Sequence, residues 1–326
     1  TAVLGAGVEP VFFDVSPETL DPDPASFAEA IDGGVSAVIL APLFGLPGGW
    51  PFAGAAARES GAYVVEDAAQ GFGSRPGGRP AGTLGDWSVL SFGRGKGWTG
   101  SGGGALLARG PAAEAGRPVA GEPAGGEPAE GGPGSLGVLA KGAAQWLLGH
   151  PSRYGIPASI PALHLGETRY HPPSPPRRIA PASASLVLAS LDAATEEAER
   201  RRSNAASLIR QIGDEAPFSA DAGYLRLPVL LPTAESAEGF AGAHRRLGVE
   251  RSYPAPLPDL PVLNGARVGA TPMDTPPESA RFPGAGALAA RLVTLPTHSF
   301  LTDADIERLA RLVRAAGGRI VGPTTA

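Results

Sequence analysis

A glycine-rich segment, SFGRGKGWTGSGGG, occupies residues 91–104 and contains a single lysine, Lys96. The lysine could belong to a phosphate-binding loop, act as a covalent catalyst, or lie solvated in a glycine-rich hairpin. A phosphate-binding loop needs G-x-x-x-x-G-K followed by Ser or Thr, but Gly97 follows Lys96 and the glycine spacing differs. No G-x-G-x-x-G opens a helix in the way that a dinucleotide site requires. The covalent catalyst and the plain hairpin therefore stay open.

An acidic residue in a neighbouring segment favours the catalyst. VVEDAAQG, residues 64–71, places Asp67 just after a predicted buried strand, where open α/β sheets place their ligand sites. A helix N-cap is the alternative role for Asp67. Asp67 and Lys96 are 29 positions apart, both in loops at strand ends of one predicted sheet. Pyridoxal phosphate needs a lysine for its Schiff base and an acid at its pyridinium nitrogen, so this pair matches its requirements.

The elements that must position these residues alternate in type over the first hundred residues. Asp23 and Pro24 indicate an N-cap and a first helical position, and a second helix is predicted over 51–60. Apolar strands separated by helices predict an α/β fold with a mainly parallel sheet covered on both faces. The predicted strands are 11–15, 35–41, 62–66, 87–92 and 104–108.

The rest of the chain predicts a change of architecture. Residues 110–137 are almost wholly Gly, Pro, Ala and Glu, a composition that predicts a mobile insertion. A short helix around Trp146 and a long helix over 182–212 follow. Strands over 224–231 and 290–296, a helix over 235–247 and a last helix capped by Thr302 predict a smaller α+β C-terminal domain. We therefore divide the chain into a large domain, 1–180, and a linking helix with a small domain, 181–326.

Composition excludes several function classes. The chain has 326 residues, a net charge of -5 and no cysteine. An acidic chain does not favour nucleic acid as a partner. The lack of cysteine excludes disulfides, thiolate catalysis and cysteine-bound metal, and favours a cytoplasmic protein. The sequence shows neither an apolar run of membrane-spanning length nor a signal peptide.

Residues 64–107 closely resemble the core of the DegT/DnrJ/EryC1/StrS aminotransferases, a pyridoxal-phosphate family that aminates nucleotide-linked keto sugars. The shared motifs are E-D-x-A-Q, then G-x-x-G-D, then S-F-x-x-x-K before a glycine-rich run. Further similarity is spread along the chain, in the segments 8–24, 191–208 and 292–313. The resemblance implies a fold-type-I pyridoxal-phosphate transferase, with a mainly parallel sheet flanked by helices in the large domain.

The resemblance also implies roles for five residues. Lys96 would form the Schiff base with the cofactor and move the substrate's proton. Asp67 would remain ionised and hold the proton on the pyridine nitrogen. Gln70 would reach the phenolic oxygen of the cofactor, Ala69 would pack on its ring, and Ser91 would bind its phosphate. The glycines around Lys96 would let the backbone approach the cofactor closely.

The implied activity is amino transfer in polysaccharide or secondary-metabolite biosynthesis. Glutamate or a similar donor would supply the amino group, and a keto sugar or related ketone would accept it. The resemblance also implies a homodimer with its site at the subunit interface. One alternative is a non-catalytic relative that serves as a binding or scaffold module. Another, a dehydratase of the family, would need a different residue, typically His, in place of Lys96.

Three departures from the family pattern concern the phosphate group. The family's Gly-Thr turn should lie before residue 1, so we expect that the chain lacks its N-terminal segment and binds the cofactor weakly by itself. Arg178 aligns with an arginine that follows the family's neighbouring-subunit Asn by two positions, but Pro176 occupies the Asn position. Arg94 could replace a phosphate contact or be a solvated arginine.

A few other residues could carry function. His164, Glu167 and His171 have the spacing of helical metal ligands, but Gly166 and the prolines that follow disfavour a helix. We therefore predict no metal site. His298 is predicted to be a domain-packing or cap residue. Phe44 and Trp50 are predicted to line the core or the cleft wall.

Overall fold

The N-terminal part of the computed structural model is built on a four-stranded sheet. The structure describes residues 2–115, 135–148, 178–213, 218–264 and 278–322. The strands follow the order β1-β2-β3-β4; β1, β2 and β3 are parallel, and β4 is antiparallel to β3. Their bounds are Ala37–Leu40 (β1), Tyr63–Asp67 (β2), Trp87–Ser91 (β3) and Gly104–Ala108 (β4).

Two helices cover one face of this sheet. After a short first helix, α1 (Ala2–Gly5), helix α2 (Pro24–Asp32) begins as predicted, with the Asp23 carboxylate accepting from the Ser26 amide at 2.9 Å. Helix α3 (Trp50–Glu59) follows β1. Their apolar side chains form one core with the inward residues of the strands and with Leu84 from the loop before β3: Phe27, Trp50, Ala53, Ala57, Val38, Leu40, Val64 and Leu84.

The opposite face of the sheet remains open among the described residues. It exposes 45% of Ile39, 50% of Tyr63 and 54% of Leu106. Among the described residues, helices therefore cover one face of the predicted, mainly parallel sheet, and the other face is partly exposed. This open face carries Asp67 and Ser91 at its carboxyl end, because side chains alternate along each strand.

The C-terminal part is built on a second, antiparallel sheet with the order β6-β7-β5-β8. Long helices pack on it and bury a core that includes Leu208, Leu227, Val293 and Leu309. This agrees with the predicted α+β character; the domain boundary at 180 stays a prediction. The elements are α6 (Pro181–Ala189), α7 (Leu191–Ile212), β5 (Leu227–Leu230), α8 (Ala234–His244), β6 (Glu250–Arg251), α9 (Pro261–Asn264), α10 (Pro283–Arg291), β7 (Leu292–Leu295), α11 (Asp303–Ala315) and β8 (Arg319–Ile320).

The predicted strand at 11–15 is wrong. Only Val15 makes an isolated bridge, to Pro22. The buried Asp14 carboxylate instead accepts from the amides of Gly284 and Ala285, both at 2.8 Å, at the start of α10. Its own amide donates to the Ser26 hydroxyl at 2.9 Å. These side-chain bonds take the place of a strand partner.

The long helix predicted over 182–212 is two helices with a break at Ser190. The Val187 carbonyl, which a continuous helix would pair with the amide of Leu191, accepts from the Trp98 indole at 2.9 Å and the Ser190 hydroxyl at 3.3 Å. The predicted strand 290–296 is also shorter, since α10 extends to Arg291.

The predicted mobile insertion lies partly outside the described residues. Within 110–137, Pro111–Ala115 is a short helix, α4, and Ser135 begins a helix, α5 (Ser135–Leu148), which includes the predicted helix around Trp146. Residues 116–134 are not described. In the described part of the chain, no helix has both the length and the apolar character needed to cross a bilayer.

Candidate active site

The carboxyl end of β2 places two consecutive acids on opposite faces of the sheet. Glu66 faces the helices and is 1% exposed. Its carboxylate accepts from the Gly82 amide at 2.6 Å, the Leu84 amide at 2.8 Å and the Ser88 hydroxyl at 2.7 Å. Asp67 faces the open side and is partly buried. Glu66 therefore anchors the loop before β3, and Asp67 is the acid that a ligand could reach.

Asp67 begins a turn rather than a helix. Its Oδ1 accepts from the Ala69 amide at 3.1 Å, and residues 68–75 form turns and irregular backbone. The helix N-cap considered for Asp67 is therefore wrong. The bond fixes the carboxylate at the end of the strand, with Ala69 beside it.

Gln70 is held at both ends of its side-chain amide. Its Oε1 accepts from the Phe44 amide at 2.7 Å, and its Nε2 donates to the Tyr253 hydroxyl at 2.7 Å. Phe44 is buried, as predicted for a core residue. Tyr253 was missed in the sequence analysis, because it lies 183 positions from Gln70 and no local motif marks it.

Ser91 lies on the same sheet face as Asp67. Asp67 pairs with Val89 across β2 and β3, and Ser91 is two residues further along β3. The Ser91 hydroxyl accepts from the Gly93 amide at 3.4 Å. The structure thus brings a carboxylate and a hydroxyl to one edge of the sheet from adjacent parallel strands.

Lys96 lies in a closed loop that follows Ser91. The loop is joined at its base, where the Phe92 carbonyl accepts from the Gly100 amide at 3.0 Å and the Thr99 hydroxyl at 3.1 Å. The Lys96 amide donates to the Gly93 carbonyl at 3.4 Å, and the residue is partly buried. The lysine is therefore carried on a folded loop and is not fully solvated.

The Lys96 loop packs against the loop that carries Asp67 and Gln70. Phe72 contacts Trp98, with ring centroids 5.3 Å apart. A Cβ on Gly97 would lie 2.9 Å from Phe72 Cβ, too close for any side chain. The glycines around Lys96 were expected to make room for a cofactor. At Gly97 this is wrong, because the missing side chain makes room for Phe72.

The electrostatics of this edge involve Tyr253. Desolvation raises the pKa of the Tyr253 hydroxyl above its ordinary value, the hydrogen bond with Gln70 opposes this, and the negative charge of Asp67 adds to the rise. Tyr253 is therefore protonated at neutral pH and lies close enough to Asp67 for the two to interact electrostatically.

The other candidates from the sequence differ in their burial, and some lie outside the described residues. Arg94 and Arg178 are exposed. His298 is partly buried, and its Nδ1 has no hydrogen-bond partner in the described structure. Trp50 belongs to the core, as predicted. Pro176 and the three residues with metal-ligand spacing, His164, Glu167 and His171, lie outside the described residues. The described residues contain no group of three or more His, Cys, Asp or Glu that could hold a metal.

Comparison with known proteins finds a family model that matches part of the chain. The model of the DegT/DnrJ/EryC1/StrS aminotransferase family matches residues 1–116. These are 116 of the 326 residues, so the N-terminal part of the chain is similar to this family. Structural similarity extends much further than the family match: Spr1654 from Streptococcus pneumoniae, solved in its PLP form, is matched over 96% of this chain and 76% of its own, with a TM-score of 0.67. At 17% identity this likeness concerns the fold alone, and it confirms the expected fold-type-I architecture.

Two curated aminotransferases show where sequence is shared. The dTDP-4-dehydro-2,3,6-trideoxy-D-glucose 4-aminotransferase of Saccharopolyspora spinosa is 37% identical over 91 residues, which are 28% of this chain and 24% of that protein. The UDP-2-acetamido-2-deoxy-3-oxo-D-glucuronate aminotransferase of Pseudomonas aeruginosa is 25% identical over 316 residues, 94% of this chain and 72% of that protein. The stronger match thus spans about a quarter of its relative.

Proposed function

We propose that the protein is a pyridoxal-phosphate-dependent aminotransferase. It would transfer an amino group from glutamate or a similar donor to a nucleotide-linked keto sugar or related ketone, in polysaccharide or secondary-metabolite biosynthesis. The observation that carries this proposal is the placement of Asp67 and Ser91 on one sheet face, with the Lys96 loop packed against the loop of Gln70.

The donor set at this edge fits the cofactor. The cofactor offers an aldehyde to an amine, a ring nitrogen to an acid, a phenolic oxygen to a hydrogen-bond donor and a phosphate to hydroxyl and amide groups. Asp67 and Ser91 at the ends of two adjacent strands, and Gln70 and Lys96 in the loops that follow them, supply one group of each kind. When bound, the ring serves as the electron sink for chemistry at the substrate's α-carbon.

Each residue then has a physical task. The Lys96 amine would attach the cofactor and move a proton at the substrate carbon. Asp67 accepts from the Ala69 amide through Oδ1, which leaves Oδ2 to pair with the ring nitrogen and keep it protonated. Ala69 would pack on the ring. Gln70 would donate to the phenolic oxygen, and Ser91 would donate to the phosphate.

We further propose a homodimer with the site at its subunit interface and a cytoplasmic location, as the family resemblance implies. The donor set also favours the enzyme over a non-catalytic relative, since a scaffold has no need of an amine and an acid at one edge of the sheet. The presence of Lys96 disfavours the dehydratase.

Asp67→Asn tests the proposal because it changes the charge and not the shape. The full-length protein is loaded with pyridoxal phosphate and mixed with L-glutamate or L-glutamine, and the 2-oxoacid released in a single turnover is timed. We expect Asp67→Asn to retain the cofactor on Lys96 but to react at least about 100-fold more slowly, as when a preorganised electrostatic group is removed.

Asp32→Asn, an exposed change at the end of α2, is the matched control and should react like the wild type. A wild-type rate for Asp67→Asn would show that this acid does not hold the ring nitrogen and would contradict the proposed site.

A further inference from the structure

The orientation of the Gln70 amide is determined by its partners. A backbone N–H can only donate, so the atom 2.7 Å from the Phe44 amide must be the oxygen, Oε1. Nε2 therefore faces Tyr253, whose hydroxyl oxygen accepts at 2.7 Å. The NH2 group has two hydrogens, and Tyr253 uses one of them. The second is available to a ligand at the edge of the sheet.

The residues around Gln70 have strained backbones. Phe44 has φ of 60°, Tyr253 has φ of 53° and Tyr224 has φ of 45°. Bulky residues rarely occupy this region, and such strain is typical of functional sites. Phe44 and Tyr253 contact one another, with ring centroids 6.0 Å apart. Strain thus marks the two residues that hold the Gln70 amide.

Tyr253 reaches Gln70 from the C-terminal part of the chain, two residues after β6. The same region is tied to the Phe44 segment by backbone bonds. The Gly223 amide donates to the Gly45 carbonyl at 2.7 Å, and the Arg226 amide donates to the Phe44 carbonyl at 3.4 Å. The hydrogen bond from Gln70 to Tyr253 therefore links the two sheets at the edge that carries Asp67.

We propose that Tyr253 is a positioning residue that fixes the Gln70 amide, so that its second N–H points at the phenolic oxygen of the cofactor. This inference rests on the proposed function. Tyr253 acts through Gln70, and its own contact with the cofactor is not required. The C-terminal sheet thereby influences how tightly the N-terminal sheet holds the cofactor.

A double-mutant cycle separates this role from a direct contact. Tyr253→Phe removes the hydroxyl and keeps the ring against Phe44. In full-length protein, fluorescence titration with pyridoxal phosphate should give an apparent Kd that Tyr253→Phe raises roughly three- to tenfold, the range of one misplaced hydrogen bond. In a Gln70→Ala background the same change should alter the Kd less than about twofold, because the group that Tyr253 orients is gone. Tyr63→Phe, an exposed change at the far end of β2, is the control.

A second measurement requires neither the cofactor nor a correctly folded Gln70→Ala variant. Hydrogen exchange at the Phe44 amide reports how firmly Gln70 is held, and Tyr253→Phe should accelerate it several-fold in the cofactor-free protein. Unchanged exchange would overturn the inference, as would equal effects of Tyr253→Phe on the Kd in both backgrounds. A wild type that binds and attaches the cofactor while Tyr253→Phe has no effect refutes only the inference. A wild type that does not bind it refutes the proposed function as well.

Discussion

At the scale of single residues, the adjacent acids Glu66 and Asp67 illustrate how a strand divides two tasks. Period-two alternation sends Glu66 to the helix-covered face and Asp67 to the open edge. Glu66 uses both oxygens to accept from backbone amides and the Ser88 hydroxyl, and so shapes the loop that leads into the strand of Ser91. Because Glu66 makes the hydrogen bonds that hold the loop, Asp67 keeps one oxygen for a ligand.

We predict that Glu66→Gln destabilises the protein by about 1–3 kcal/mol, since an amide NH2 would face a buried N–H donor in place of an accepting oxygen. The free energy of unfolding in urea measures this. Glu59→Gln, an exposed change at the end of α3, should cost less than about 0.5 kcal/mol. If both variants match the wild type, the buried carboxylate is not the anchor of this loop.

The candidate site could be predicted from sequence only where it is local. Asp67, Ala69, Gln70, Ser91 and Lys96 fall within one continuous motif, and strand ends mark their positions. Tyr253 could not be found in this way, because its contact with Gln70 depends on how two sheets meet. The sequence explains the glycine at position 97 by the space that a cofactor needs, because it does not show that Phe72 packs there.

At the scale of elements, the residues that cap helix starts could be predicted from the sequence, whereas the partner of a strand could not. Thr302 forms the predicted N-cap of α11, in a capping box with Asp305. The apolar, β-branched and aromatic residues in 11–15 predict a strand. A strand also requires a neighbouring strand to pair with, and Asp14 accepts hydrogen bonds from the start of α10 instead. Local hydrogen-bonding chemistry could thus be predicted, whereas long-range pairing could not.

The capping box of α11 leads us to expect that the stability of the protein depends on pH. Hydrogen bonds from the Thr302 side chain and amide lower the pKa of Asp305 below its ordinary value. A carboxylate whose pKa is lower in the folded state than in the unfolded state stabilises the protein at pH values above its unfolded-state pKa. This stabilisation is lost as the pH falls through the folded-state pKa. We therefore expect Asp305→Asn to be less stable than the wild type by a few tenths of a kcal/mol at about pH 7, because the carboxylate is largely solvated and screened.

This stability gap should close as the pH falls below about 4, which urea unfolding across that range would show. Asp303→Asn removes a charge from the same turn without touching the capping box and controls for the helix dipole. A gap for Asp305→Asn that is constant with pH would contradict the role of the ionised carboxylate.

At the scale of the whole molecule, α7 and its neighbours join the two sheets around the candidate site. The Arg202 guanidinium donates to the Gly73 carbonyl at 2.9 Å and the Ala222 carbonyl at 3.2 Å. Asn204 donates to the carbonyls of Thr297 and His298, both at 3.0 Å. The loop after Gln70 is thus fixed to the C-terminal part of the chain, which places Tyr253 beside it. Residues from both parts of the chain therefore lie at the candidate site.

The central claim is that Lys96 binds pyridoxal phosphate covalently, and the composition makes its test unusually clean. The chain contains only two lysines, Lys96 and Lys141. The protein is incubated with the cofactor, reduced with borohydride and digested, and the peptides that contain these two lysines are mapped by mass spectrometry. We predict a pyridoxyl group on Lys96, retained in Lys141→Arg and lost in Lys96→Arg. A label on Lys141, a label that persists in Lys96→Arg, or no label on the wild type would contradict the account.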